Sequence, residues 1–107
     1  MKFVGKKILL HYDNGLEIIG DYTSPTEISW EARSGPAKGM KGKETIRAVE
    51  VASDIFFISW LEASGTSVSQ TLDFNNSTMV AFTTYDSDKG RQSTLGKGTF
   101  SEMLNQK

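Results

Sequence analysis

A chain of 107 residues without cysteine is long enough for one hydrophobic core and too short for two, and it can build neither a disulfide nor a thiolate nucleophile or metal site. Twelve basic against thirteen acidic side chains leave a formal charge of -1, so no overall field draws nucleic acid or an acidic membrane. No apolar run approaches transmembrane length, and Ile8-Leu9-Leu10 is far shorter than the apolar core of a secretion signal, with no small-residue cleavage site after it; the expectation is one soluble, cytoplasmic domain over residues 1–107.

In chain order, KKILLHY and LEIIGDY flank Asp13-Asn14-Gly15, and Asn-Gly supplies the positive φ angles of a tight hairpin turn, so two paired strands are expected here. Ile8, Leu10 and Tyr12 share one face of the first, and His11 points the other way. Thr23-Ser24-Pro25 breaks the second strand. TEISWEAR then sets Ile28, Trp30 and Ala32 against Glu27, Ser29, Glu31 and Arg33, the cleanest two-faced strand in the chain. SGPAKGMKGK, residues 34–43, holds three glycines, a proline and three lysines, which predicts a loop or bulged edge and a candidate lid.

ETIRAVEVA reads as the fourth strand, Ser53-Asp54 as a turn and DIFFISWLE as the fifth strand. Ala63-Ser64-Gly65 turns the chain into TSVSQTLDF, where Thr66, Val68, Gln70, Leu72 and Phe74 share a face. Asn75-Asn76-Ser77 leads into TMVAFTTY, and DSDKG into RQSTLGKGTF; the final SEMLNQK has room for one helical turn. About eight short strands joined by hairpins predict an all-β domain, a single antiparallel up-and-down barrel closed on itself, because closure removes exposed edges. The interior of an eight-stranded barrel is filled by side chains or holds one small ligand.

Candidate functional residues follow from parity along these strands. Phe56, Ile58, Trp60 and Glu62 fall two apart, so an inward apolar face ends on an acid. That acid is either a wet rim carboxylate or a group beside Trp60 whose raised pKa fits it to donate a proton or orient a ligand. Tyr12 is either apolar filler with a wet tip or a donor to a ligand oxygen, and an inward Gln70 among Val68 and Leu72 needs polar partners. The single histidine rules out a multi-histidine metal site and reads as a surface residue. Asp86 and Asp88 in DSDKG begin like a calcium loop but lack its distal glutamate, so no metal site is expected. Neither a Gly-x-Ser-x-Gly element nor a phosphate-binding glycine spacing occurs. Tyr12, Glu62, Thr66 and Gln70 among the aromatic side chains of Trp30, Phe56, Trp60 and Phe82 form a pocket signature without a complete catalytic set.

Three segments, HYDNGLEI, ISWEARSGPAKGMKG and FFISWLEASGTSVSQTLDF, in this order and at this spacing resemble the phenolic acid decarboxylases and the related MoaF-like proteins. The element Ser-Trp-x-Glu-x-x-Gly-Thr-x-Val-Ser, from Ser59 to Ser69, is the most specific part. The resemblance implies a lipocalin-like (calycin) barrel and a homodimer. Those decarboxylases remove CO₂ from hydroxycinnamic acids without a cofactor, using two tyrosines and an arginine around the carboxylate and a glutamate near the phenol. Carried over, the glutamate falls on Glu62 and the second tyrosine on Tyr12, whereas the first tyrosine falls on Leu10 and the arginine on Met40, with Lys38 and Lys41 nearby. Leucine donates no hydrogen bond, and lysine lacks the bidentate fork of arginine. The leading expectation is therefore a MoaF-like barrel binding a small, partly aromatic ligand, with Trp30, Phe56, Trp60 and Phe82 as walls and Tyr12, Glu62, Thr66 and Gln70 as polar contacts. The alternative is a cofactor-free lyase acting on a phenolic-acid-like substrate through Glu62 and Tyr12. A third reading is a barrel packed solid, with a structural or interaction role.

Overall fold

The computed structural model describes residues 1–103. Eight strands follow one another: β1 (Lys6–Tyr12), β2 (Glu17–Ser24), β3 (Glu27–Ala32), β4 (Lys41–Ala52), β5 (Ile55–Leu61), β6 (Ser67–Asp73), β7 (Thr78–Ser87) and β8 (Gly90–Glu102). Each pairs antiparallel with its neighbours in sequence, and β8 pairs with β1, so the sheet is a closed up-and-down barrel as the spacing of turns predicted. Of the tail, Ser101 and Glu102 end β8, so no helical turn forms there, and residues 104–107 lie outside the described residues.

One end of the barrel is filled. Ile8, Tyr22, Ile46, Phe56, Ile58, Leu72 and Met79 are buried there, and the segment before β1 folds under the barrel to insert Phe3, itself fully buried. The bond from the Gly5 amide to the Tyr22 carbonyl, 2.7 Å, holds that segment in place. Phe3, Phe56, Phe74 and Phe100 form a chain of edge-to-face rings with centroids 5.3, 5.8 and 4.9 Å apart. This geometry suits the ring quadrupoles and adds to the area buried.

The other end is hollow, and the reason is side-chain size. Ala81 pairs with Gly96 and Met79 with Gly98 on the inward face of the β7–β8 pair, while Gly20 opens β2. Trp30 on β3 stands across the barrel from Ala81 on β7 and beside Gly20, its partner on β2, and Trp60 stands on β5. Large residues on one wall and small ones opposite leave an interior volume that neither wall fills.

Two expectations need correction. Residues 34–43 do not form one long loop: β4 begins at Lys41, with Lys41, Gly42 and Lys43 paired to Glu31, Trp30 and Ser29. Gly42 signals a loop by composition, yet it serves in a strand because a side chain there would come within 2.7–2.8 Å of the Trp30 indole. The remaining turn, residues 33–40, is closed by bonds from Gly39 to Ala32 and from Met40 to Ala37, each 2.9 Å, and docks on the first hairpin through Ser34, whose hydroxyl accepts from the Glu17 amide at 2.8 Å. None of residues 33–40 lines the interior cavity, so this turn is not a lid over it.

Candidate functional site

The hollow end encloses a cavity of about 370 Å³, within the size range of small-molecule sites. Strand parity decides what lines it. Leu10 and Tyr12 of β1, Ile18 and Gly20 of β2, Ile28 and Trp30 of β3, Trp60 of β5, Val68 and Gln70 of β6 and Ala81 of β7 all point inward. Asn14 and Leu16 of the β1–β2 turn, Glu62 and Thr66 flanking the β5–β6 turn, and Thr83, Thr94, Leu95 and Gly96 of the β7–β8 pair complete the lining.

At the mouth, two indoles each hold a carboxylate. The Trp60 indole N–H donates to Glu62 Oε2 at 3.0 Å, and the Trp30 indole N–H donates to Glu44 Oε2 at 3.0 Å. Because Ile46 pairs with Trp60, continuing the register by two residues sets Glu44 opposite Glu62 on the inward face. Burial pushes the Glu62 carboxyl above the usual carboxylate range, and the negative charge of Glu44 pushes the same way against the opposing indole bond. Glu62 is thus a half-buried acid in the cavity wall. Its backbone amide is fixed by the Thr66 carbonyl at 2.8 Å.

Deeper in, the Tyr22 hydroxyl donates to Gln70 Oε1, the single buried polar contact beneath the cavity among the described side chains. That bond turns the Gln70 amide nitrogen into a donor with no partner of its own among the described residues. The Tyr12 ring lies flat on β8: a side chain at Gly96 would approach its ring carbons to 2.9 and 3.0 Å. Burial raises the pKa of Tyr12, and that of Tyr22 far more, where the neighbouring Tyr12 adds to burial against the bond to Gln70. Both phenols therefore stay protonated donors at neutral pH.

Among the side chains singled out from the sequence, the cavity brings together Tyr12, Trp30, Trp60, Glu62, Thr66 and Gln70. Two expected walls are not there. Phe56 faces inward but sits below the cavity at the filled end, 1% exposed, against Phe3 and Phe74. Phe82 points outward and is 46% exposed, because Ala81 and Thr83 take the inward positions of β7 and a one-residue offset reverses the face. Sequence reasoning missed Glu44 and Tyr22, although the signal was present: each lies two residues from an inward neighbour, Ile46 and Gly20. His11 lies outside as expected, with Nδ1 2.8 Å from Glu17 Oε2. The positions that correspond to the decarboxylase carboxylate clamp hold Leu10, buried in the cavity wall, and Met40, 59% exposed and outside the lining.

The profile of the family described as MoaF-like matches residues 4–101, which take in all eight strands except the last residue of β8. The chain belongs to the MoaF-like family. A protein of Vibrio cholerae serotype O1 named "Probable phenolic acid decarboxylase" is 32% identical to this MoaF-like chain over 75 residues. The match takes in 69% of the chain and 43% of that protein, so the MoaF-like chain spans less than half the length of this relative. A crystal structure of a "putative beta-lactamase" from Burkholderia vietnamiensis superposes with a TM-score of 0.86 at 23% identity, covering 96% of this chain and 97% of the other. That likeness concerns the barrel fold alone.

Proposed function

We propose that this MoaF-like barrel is a binding module that holds a small, partly aromatic ligand in its hollow end. One observation carries the reading: a cavity of about 370 Å³ is walled by both tryptophans of the chain and lined by polar atoms, on Tyr12 and Gln70, that have no partner among the described residues. No side-chain polar atom among the described residues is both buried and unpaired, so these atoms face the open cavity, where a ligand can pair with them in place of water. A structural barrel would gain stability by filling this space, which the alternation of glycine and alanine on β7 and β8 keeps open.

The test is titration of the intact chain with a panel of small aromatic metabolites, read by tryptophan fluorescence and thermal unfolding. Because Trp30 and Trp60 both border the cavity, occupancy is expected to change the emission saturably and to raise the melting temperature by mass action. A flat response in both readouts across the panel removes the proposal.

A second reading has specific support in the shared location of Glu62 and Tyr12. Both line one cavity, and burial raises the Glu62 carboxyl in the direction of neutral pH, as a general acid requires, while Tyr12 stays a protonated phenol that can donate a hydrogen bond. In its favour would be turnover of p-coumaric or ferulic acid, followed by absorbance and abolished by Glu62→Gln and by Tyr12→Phe. Among the described residues no guanidinium or ammonium group lines the cavity, which argues against a carboxylate substrate.

A further inference from the structure

Among the described side chains that line the cavity, Glu62 alone carries a formal charge. The neighbouring Glu44 adds a second negative charge, bound to the same wall through the Trp30 indole. Each carboxylate spends one oxygen, Oε2, on an indole N–H, and Oε1 of each has no hydrogen-bond partner among the described residues. Lys41 and Lys43 border a separate groove on the outer face of β3 and β4, and Arg91, which reaches the β5–β6 turn through the Gly65 carbonyl at 2.9 Å, is paired with Asp86 at 3.0 Å. The mouth therefore holds two carboxylates, each at the N–H edge of an indole and neither paired with a cation among the described residues.

At the inner end the polarity is reversed. Gln70 is 2% exposed and lines the cavity, and its amide nitrogen donates to nothing among the described residues while Tyr22 occupies the amide oxygen. The Tyr12 hydroxyl is a second free donor in the lining. Val68, two residues from Gln70 on β6 and paired with Trp60, stands between Gln70 and the Glu62 end, and Ile18, Ile28 and Ala81 add apolar lining. The site thus sets negative charge at the mouth against amide and phenol donors in the lining, with apolar side chains around them.

We propose that the cavity takes a small organic cation: an amine on an aromatic or apolar frame, its ammonium group at the mouth beside Glu62 and Glu44 and an acceptor oxygen inside against Gln70 and Tyr12. This rests on the ligand-binding reading above and names the chemical class of the ligand. An ammonium group at this position gains charge-assisted hydrogen bonds to the carboxylates. A carboxylate in the same orientation meets repulsion from both acids with no cation to offset it.

The decisive comparison holds the frame constant and varies the charge. Tyramine, 4-ethylphenol and 3-(4-hydroxyphenyl)propionate share a phenol that meets the inner donors and differ in an ammonium, neutral or carboxylate tail. Titrated against the intact chain by tryptophan fluorescence, tyramine is expected to bind on the order of tenfold or more tighter than the propionate, with 4-ethylphenol between them. Glu62→Gln and Glu44→Gln are each expected to reduce the tyramine-to-propionate ratio several-fold, with their folding checked by thermal unfolding. Equal or tighter binding of the propionate, or a ratio unchanged in both variants, overturns the proposed ligand class while leaving a binding cavity in place. No saturable response to any of the three phenols overturns it together with the binding reading.

Discussion

An acid that ends an apolar strand face has its ionisation set by what surrounds it, and Glu62 shows this in a form that can be measured. Burial against the barrel wall and the charge of Glu44 raise its pKa in the folded chain above the unfolded value. The folded state then holds the proton more tightly, so stability is greatest at low pH and falls as pH rises through the window between the unfolded and folded values. Glu62→Gln keeps an oxygen for the Trp60 indole and removes the ionisation. The variant is expected to exceed the parent in stability at neutral pH by a few tenths of a kcal/mol, the figure being small because the side chain is half in water. The difference is expected to vanish near about pH 4, where the carboxyl is protonated in both states. Thermal unfolding of the unliganded proteins across this range checks the sign, and a parent that is the more stable at neutral pH contradicts it. Glu62, Tyr12 and Gln70 were legible in the sequence because each continues the parity of unmistakably inward neighbours. Phe82 was not, since TMVAFTTY offers apolar residues on both faces, and only the pairing of Ala81 with Gly96 and Phe82 with Leu95 tells them apart.

At the scale of the element, β8 does the most to shape the site with the fewest apolar residues. Its register against β1 brings Gly98 opposite Tyr12, so close that a Cβ at Gly98 would lie 1.8 Å from the His11 carbonyl oxygen. Only glycine fits where two backbones approach in this way. Gly98→Ala is expected to force the β1–β8 seam apart and to cost about 1–3 kcal/mol or more, as other overpacked sites do. Lys97→Ala, outside the same strand, is expected to change stability by less than about 0.5 kcal/mol. Urea unfolding of both variants compares the two, and equal midpoints would mean that the seam tolerates the added methyl. RQSTLGKGTF was read as a strand on its turn signals and β-branched residues, but nothing in it announces barrel closure. That function depends on β1, some ninety residues away in the chain. The start of β4 was hidden for a related reason: glycine and lysine composition imitates a loop, while Gly42 is required by the indole that lies on it.

Taken whole, the barrel is asymmetric along its axis, packed with phenylalanine at one end and open at the other. The hairpin turns after β1, β3, β5 and β7 all surround the open end, so every strand reaches it and the chain places Tyr12, Trp30, Glu62 and Thr66 there from distant positions. Outside, Phe57, Val49 and Val80 lie in line across β4 to β7, each 40–52% exposed, on the face opposite to the cavity lining. The sequence by itself determined the all-β class, the number and order of the strands and the inward parity of most candidate residues. Those properties follow from local turn chemistry and from a side-chain period of two, both of which act within a few residues. Only the tertiary structure decided that the interior is hollow rather than filled, that Phe3 plugs one end, and that Glu44 joins Glu62 at the other. Free volume is a difference between opposing walls, and no single segment carries the size of the side chains it will face.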